Sequence, residues 1–361
     1  MAGAARAGGA PVIVIRTPGG VSLRLRPRAL AVGAGCALAA LALGVLAIGS
    51  GDYPMSAADV LRTLAGRGSP AEDFIVTELR LPRVVLGLLV GGLLALAGGC
   101  YQGVFRNPLA DPYLLGVAAG AGLAVTAVIT VGVGVGGALT GLPVTIPLAA
   151  FLGSLGAVAM TYLLGASGGR GRSPATLILA GVAVSAFLSA GQTYLLQRNS
   201  DSIQQVYSWL LGRLATAGWH DVRLVLPYFL LTALVVLLHR RELDVLSVGD
   251  DEAASLGLHP QRSRYLLIAA ASLGTAAAVS ASGLIGFVGI IVPHTVRLLA
   301  GSSYRVILPL SLLFGGAFLA LTDVVARTAA APSEIPIGVV TALLGGPFFV
   351  LVLRTSRRML S

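Results

Sequence analysis

The side chains that could do chemistry in this chain are few, and their spacing fits no common catalytic or metal-binding pattern. The four histidines are scattered along the sequence, at His220, His239, His259 and His294. A zinc site needs ligands at short, fixed spacings such as His-Glu-x-x-His, and no such pattern occurs. The two cysteines, Cys36 and Cys100, fall within apolar runs, where a free cysteine packs as a small hydrophobic residue. The sequence therefore predicts no catalytic residue and no metal site.

The basic residues argue against two further classes of function. All 25 of them are arginine, because the sequence contains no lysine. A P-loop requires its lysine, so the chain has no ATP-binding loop of that kind. The arginines lie between apolar runs rather than in a patch with interleaved aromatic residues, which argues against nucleic-acid binding. Neither ATP hydrolysis nor nucleic-acid recognition is expected of this chain.

The composition indicates an integral membrane protein. Of the 361 residues, 56% are hydrophobic and only 11% are charged, against about 25% charged in soluble domains. A helix needs about 20 apolar residues to cross the hydrocarbon core of a bilayer. Ten apolar runs come near that length: 29–49, 84–104, 114–139, 142–165, 174–196, 222–238, 265–284, 285–300, 306–326 and 337–353. We therefore predict an all-α polytopic membrane protein of about ten transmembrane helices.

The chain divides into a tail and a membrane domain, and the arginines predict its topology. Residues 1–28 form a basic tail rich in Gly and Ala, which is expected to be disordered, and residues 29–358 form the membrane domain. With the N-terminus inside, the inner segments hold 17 arginines and the outer segments hold 8. Cytoplasmic segments of membrane proteins carry such an excess of positive charge. Both termini are therefore expected in the cytoplasm.

Ionisable side chains are almost absent from the predicted spans. Apart from residues at the very ends of the runs, only His294 and Asp323 are ionisable, and each lies near a terminus of its run. An ion-coupled secondary transporter needs carboxylates or histidines at mid-membrane depth to bind its ion. That function stays open only if one of these two side chains lies at that depth. Otherwise another subunit must supply the energy for transport.

The inner segment 239–264 is the most polar stretch of the chain. Its centre has the signals of a short helix, with Asp250 or Asp251 as N-cap, Glu252 in the first turn and Gly257 as the stop. We predict a helix of about two turns there, at the cytoplasmic surface.

Three long segments, in order, resemble a known family. They are Leu79–Gly122, which contains the motif RLPR, then Ser282–Thr328 and Glu334–Arg354. All three are similar to the FecCD-type permease family, whose members are the BtuC-like, type II membrane subunits of ATP-binding-cassette (ABC) importers for iron-siderophores, haem and cobalamin. The resemblance implies a ten-span permease subunit in the bacterial cytoplasmic membrane, not an enzyme, that forms half of a translocation pore for an iron-siderophore or related metal chelate. A vitamin B12 or haem importer is the alternative cargo.

The resemblance also implies partners. They are two ATP-binding subunits that hold the ATP and Mg²⁺, a second permease that is either an identical copy or a paralogue, an extracytoplasmic substrate-binding protein, and membrane lipid. The chain itself is expected to bind no cofactor.

Site residues carried over from the family fall into three groups. Coupling to the ATP-binding subunit is implied for the helix of segment 239–264, at Asp251, Glu252, Ala253, Ala254, Leu256 and Gly257. Docking of the binding protein is implied for Arg80, Arg83 and Arg327, since the planar guanidinium pairs a carboxylate through two hydrogen bonds. The translocation path is implied to run along small or uncharged polar residues at Ser185, Ser189, Gln192, Thr193, Thr341 and Gly345.

Overall fold

The computed structural model describes residues 2–7, 10–16, 22–25, 35, 42–50, 53–134, 145–166 and 174–358. In the predicted tail it has three short strands, β1 (Ala2–Ala7), β2 (Ala10–Arg16) and β3 (Ser22–Leu25), which pair antiparallel in the order β1-β2-β3. The β-branched run from Val12 to Ile15 suits β2, because such residues favour an extended backbone.

The rest of the described chain is helical. It comprises α1 (42–49), α2 (Ala57–Leu64), α3 (Pro70–Phe74), α4 (Leu81–Val104), α5 (Val117–Gly134), α6 (Thr145–Ala166), α7 (Pro174–Arg198), α8 (Ile203–Leu210), α9 (Trp219–Leu238), α10 (Arg240–Leu246), α11 (Asp250–Ser255), α12 (Pro260–Ser282), α13 (Val288–Ala300), α14 (Tyr304–Thr328) and α15 (Ile337–Arg358). A π-helical turn at Ile75–Arg80 joins α3 to α4.

The helices follow the predicted apolar runs. Each run after the first contains one long helix, from α4 to α7, then α9 and from α12 to α15. Among the described residues, six helical stretches are long and apolar enough to cross a membrane, and α5, α13 and α15 are shorter apolar helices. Only residues 35 and 42–49 of the first run lie among the described residues. An all-α membrane fold is confirmed.

The boundary between the runs 265–284 and 285–300 is a real break in the structure. Gly283 and Phe287 have positive φ angles of 71° and 67°, and the backbone between them is not helical. The Tyr113 hydroxyl holds this segment, because it donates to the Ile285 carbonyl and accepts from the Ile285 amide, both at 3.0 Å. The structure therefore has two separate helices here, α12 and α13, as the two runs predict.

Close helix packing builds the core around α4. This helix packs against α9, α12, α13 and α14, and its glycines lie directly on neighbouring backbones. A Cβ atom on Gly91 would overlap the Gly315 carbonyl, and one on Gly98 would overlap the backbone of Gly289. Small residues at such crossings allow the close approach on which helix association in lipid depends. The high glycine content thus serves a tight bundle.

Candidate functional site

A short helix, α11, lies where the sequence predicts one. It forms part of a segment at one end of the bundle, residues 239–258, which we name the coupling segment after the role that the family resemblance implies. It contains α10 and α11, which follow α9 and precede α12. Of the residues implied in coupling, all but one are exposed: Asp251, Glu252, Ala254, Leu256 and Gly257. Ala253 is fully buried and belongs to the main hydrophobic core of the chain. The segment therefore has one face fixed on the bundle and one face open.

Asp250 anchors this segment to two other parts of the bundle. Its carboxylate accepts hydrogen bonds from both terminal nitrogens of Arg264, at 2.5 and 2.6 Å, and it also pairs with Arg106 in the loop after α4. The sequence predicted an aspartate N-cap here, which is wrong. Gly249 occupies the cap position without a side-chain bond, because the carboxylate of Asp250 is already taken by arginine.

A second anchor ties the segment to α14. Asp244 accepts a hydrogen bond from the Tyr304 amide at 2.6 Å and from the Ser303 hydroxyl at 2.8 Å. It thus satisfies one free amide group at the start of α14, as a capping side chain does. With Asp250, it links the coupling segment to α12, to α14 and to the loop after α4. The coupling segment is therefore attached to several spans at once.

The three arginines for which docking was implied lie at the end of the bundle opposite the coupling segment. With two carboxylates they form what we name the outer arginine cluster: Arg80, Arg83, Arg327, Asp323 and Glu334. Arg83 donates to both Asp323 oxygens at 2.8 to 3.1 Å and to both Glu334 oxygens at 2.8 Å. Arg327 lies one helical turn after Asp323 on α14, and its Nε is 3.2 Å from an Asp323 carboxylate oxygen. Each arginine is only 9% exposed. The cluster is thus an internal network of the chain.

Arg80 and Arg327 also hold the end of the first helix. Both donate to backbone carbonyl oxygens within residues 47–53, at 2.7 to 3.1 Å. They thereby satisfy carbonyl groups that a helix end leaves without partners. The sequence singled out these arginines but not their internal partners. The spacing of Asp323 and Arg327, four residues apart on one helix, was the signal that could have shown one of them.

Four of the residues implied in the translocation path share one stripe of α7. Ser185, Ser189, Gln192 and Thr193 follow the spacing of residues on one helix face. Ser189 and Thr193 are exposed, Ser185 and Gln192 are half-buried, and the Thr193 hydroxyl donates to the Ser189 carbonyl at 2.9 Å. This stripe offers small, uncharged polar groups to whatever lies beside α7.

The other two path residues lie inside the protein. Thr341 is fully buried, and its hydroxyl donates to the Gly338 carbonyl at 3.0 Å. Gly345 is covered by the ring of Phe287, which a Cβ at Gly345 would overlap. Both residues therefore pack against other parts of this chain.

The two ionisable residues of the spans are engaged as well. Asp323 pairs with both Arg83 and Arg327, so its charge is already balanced. The His294 ring lies edge-on to Phe348, with the ring centroids 5.7 Å apart. Among the described residues, no three His, Cys, Asp or Glu side chains come together as metal ligands.

Comparison with known proteins identifies the family. The family model of the FecCD transport family matches residues 38–355. The chain belongs to the FecCD transport family. A permease relative, the uncharacterised ABC transporter permease protein YvrB of Bacillus subtilis, is 41% identical over 297 residues, which is 81% of this chain and 82% of YvrB. The cobalamin import system permease protein BtuC of Halobacterium salinarum is 42% identical over 284 residues, 78% of this chain and 73% of that protein.

A solved structure agrees with this membership in the FecCD transport family. It is an inward-facing conformation of a putative metal-chelate type ABC transporter, with a TM-score of 0.79 and 30% sequence identity. The match covers 90% of this chain and 99% of that one. The chain is therefore a membrane-embedded permease subunit of an ABC importer and not a catalytic enzyme. An ion-coupled secondary transporter is not favoured.

Proposed function

We propose that this chain forms half of the pore of an ATP-driven importer, together with a second permease, two ATP-binding subunits and an extracytoplasmic binding protein. The observation that carries this proposal is the coupling segment, which is fixed to the bundle by Asp244 and Asp250 and open on its other face. In this proposal ATP and Mg²⁺ bind to the ATP-binding subunits, and this chain changes conformation in response to them.

The open face of the coupling segment fits a protein partner. Leu256 is 71% exposed and Val248 is 68% exposed, beside the exposed acidic residues Asp251 and Glu252. Apolar side chains rimmed by charges are typical of a surface that another protein covers. The Asp250–Arg264 pair places this surface directly at the start of α12. We infer that an ATP-binding subunit covers it and moves α12 and α14 through these two anchors.

The distribution of arginine supports a cytoplasmic position for the coupling segment. The sequence-wide excess of arginine falls on the same side as this segment when the N-terminus is inside. We infer that the chain lies in the bacterial cytoplasmic membrane with both termini in the cytoplasm. The outer arginine cluster then faces the extracytoplasmic side, where a binding protein would approach.

The outer arginine cluster carries more positive than negative charge. It contains three arginines and two carboxylates, Asp323 and Glu334, which pair with Arg83 and Arg327. Glu334 is the most accessible of these groups, with a side chain that is 40% exposed. We infer that an acidic side chain of the binding protein docks beside Glu334 and competes with it for Arg83. Charge complementarity of this kind steers association and fixes orientation.

The cargo we propose is an iron-siderophore or a related metal chelate, and its path would run beside the α7 stripe. Uncharged polar groups such as Ser189 and Gln192 suit a bulky complex that must bind weakly and leave again. The likeness to a metal-chelate type transporter supports this class of cargo. Cobalamin is the second candidate, since a cobalamin permease is 42% identical to this chain.

The test is purification of the chain from its host with its bound partners, followed by reconstitution into vesicles. We expect an ATP-binding subunit, a binding protein and ATP-dependent uptake of the chelate that the binding protein carries. Competition between ferric siderophores and cobalamin for the purified binding protein distinguishes the two cargoes. Uptake that needs an ion gradient and no ATP would overturn the proposal.

A further inference from the structure

An apolar groove lies on the bundle between α6, α9 and α12, on different helices from the α7 stripe. Its volume is about 770 Å³. Hydrocarbon side chains line most of it, among them Leu155, Ala159 and Leu163 of α6, and Leu231 and Val235 of α9. Of its polar lining atoms, the Ser272 hydroxyl is already bonded to the Tyr101 hydroxyl at 2.6 Å. The groove therefore suits a hydrocarbon ligand.

The length of the groove matches one leaflet of a bilayer. On α12 its lining extends from Tyr265 to Leu273, and on α6 from Leu155 to Leu163. Eight residues of helix rise by about 12 Å, and half of the hydrocarbon core is about 15 Å thick. The groove begins near the end of the bundle that carries the coupling segment and ends near mid-depth. One acyl chain of that leaflet fits it lengthwise.

Positive charge lies at the polar end of the groove. Arg262 precedes Tyr265, Leu266 and Ala269 by three, four and seven residues, so it lies on the helix face that lines the groove. Arg262 is exposed, and no salt bridge joins it to a carboxylate in the part of the chain that the structure describes. Arg241, just beyond the end of α9, is exposed as well. Such residues at a membrane surface attract anionic headgroups.

We propose that this groove binds one acyl chain of an anionic phospholipid of the cytoplasmic leaflet, with the phosphate group at Arg262. Assignment of the leaflet rests on the topology proposed above. The alternative ligand, a zwitterionic lipid, gains less from this arginine, because its headgroup carries a positive charge beside the phosphate. A lipid held in this way bridges α6, α9 and α12, the last of which begins beside the coupling segment.

The experiment uses the intact importer in vesicles, with Leu163→Trp as a reporter in the groove. Leu163 is largely exposed, so this change fits the site. Quenching of its fluorescence is compared for brominated phosphatidylglycerol and brominated phosphatidylcholine, after subtraction of the quenching seen without the reporter. We expect phosphatidylglycerol to bind about fivefold better, the preference that one arginine at an anionic surface gives.

Two variants of the reporter protein sharpen the test. Arg262→Gln should reduce the preference to about equal binding, whereas Arg223→Gln, an exposed arginine at the other end of α9, should leave it unchanged. Ala159→Phe should fill the groove and lower quenching by both lipids.

Equal quenching by the two lipids would overturn the proposal, and so would quenching by neither lipid, which would mean that protein covers the groove. ATP-driven uptake by the same vesicles reports separately on the proposed function. A lipid preference without uptake would contradict the importer and leave the lipid site standing.

Discussion

The outer arginine cluster buries its arginines in contacts within the chain, whereas the coupling segment leaves several of its acidic side chains exposed. In the cluster, three arginines are 9% exposed each, and their hydrogen bonds go to carboxylates and backbone carbonyls of the same chain. In the coupling segment, one aspartate forms each internal anchor, while Asp251, Glu252 and Leu256 are exposed. The charges of the first region are largely paired within the subunit. The second region leaves acidic and apolar side chains exposed, as expected of a surface that a second protein would cover.

This difference indicates where stability and coupling reside. A buried network of charges is costly to break, because a remaining charge loses its partner in a medium that solvates it poorly. An exposed segment contributes little to the stability of the subunit alone, but it can transmit the motion of a partner. Variants at the outer cluster should therefore act on folding, and variants at the open face should act on transport.

The largest effect is expected from Asp323→Ala. This change leaves Arg83 and Arg327 without their shared carboxylate, and breaking such a buried pair costs about 3–5 kcal/mol. The thermal unfolding of the purified permease in mild detergent measures the loss. Glu78→Ala is the matched control, since Glu78 is an exposed acidic residue on the neighbouring turn. Equal unfolding temperatures for both variants would show that the cluster does not hold the first helix in place.

The next effect is loss of transport in Gly257→Trp. Gly257 has a φ angle of 83°, and a Cβ there would meet no atom of this chain. Gly301 is a matched control at the same end of the bundle, with a φ angle of 104° and open space as well. Gly301 also has a ψ angle of 178°, a backbone conformation that almost only glycine adopts, so the control variant carries at least as much backbone strain as Gly257→Trp. We expect Gly257→Trp to abolish uptake and Gly301→Trp to retain most of it, because only Gly257 lies on the face that the ATP-binding subunit would cover. Normal uptake by Gly257→Trp in vesicles would contradict the coupling role.

The contrast between the two regions also explains what the sequence could predict. Apolar runs and arginine spacing are local signals, so the spans and the coupling helix were found from them. The partners of Arg83 are 240 and 251 residues away along the chain, and no local pattern reports such a contact. The N-cap was misassigned for the same reason, because Arg264 lies outside the helix whose first aspartate it binds. The burial of Thr341 and Gly345 likewise comes from tertiary packing, which their residue types alone do not report.

A smaller effect is expected from Asp250→Asn. The change weakens the two hydrogen bonds with Arg264, and bonds to charged groups contribute about 1.5–3 kcal/mol when buried. Because the Asp250 side chain is 39% exposed, solvent screening reduces this to about 1 kcal/mol. Uptake per ATP hydrolysed should fall, since the coupling segment would move less closely with α12. Asp251→Asn should leave the unfolding temperature unchanged, because Asp251 has no ion-pair partner in the described structure. An unaltered ratio of uptake to hydrolysis in Asp250→Asn would argue against this anchor.

The smallest effect tests whether the outer cluster docks a carboxylate at all. Hydrogen bonds from Arg83 lower the pKa of Glu334 below its ordinary value of 4.5, so Glu334 is ionised at neutral pH and competes with any incoming carboxylate for Arg83. Glu334→Gln removes that competition and should raise the affinity for the binding protein by a few-fold at low salt, because an exposed pair contributes only about 0–1 kcal/mol. The gain should be constant between about pH 6 and 8, where the carboxylate stays charged, and should shrink at high salt.

Glu78→Gln, which removes the same charge at an exposed position nearby, should raise the affinity for the binding protein less. If titration of the vesicles with the binding protein shows weaker binding for Glu334→Gln, then Glu334 itself takes part in docking, and the cluster does not present Arg83 to the partner.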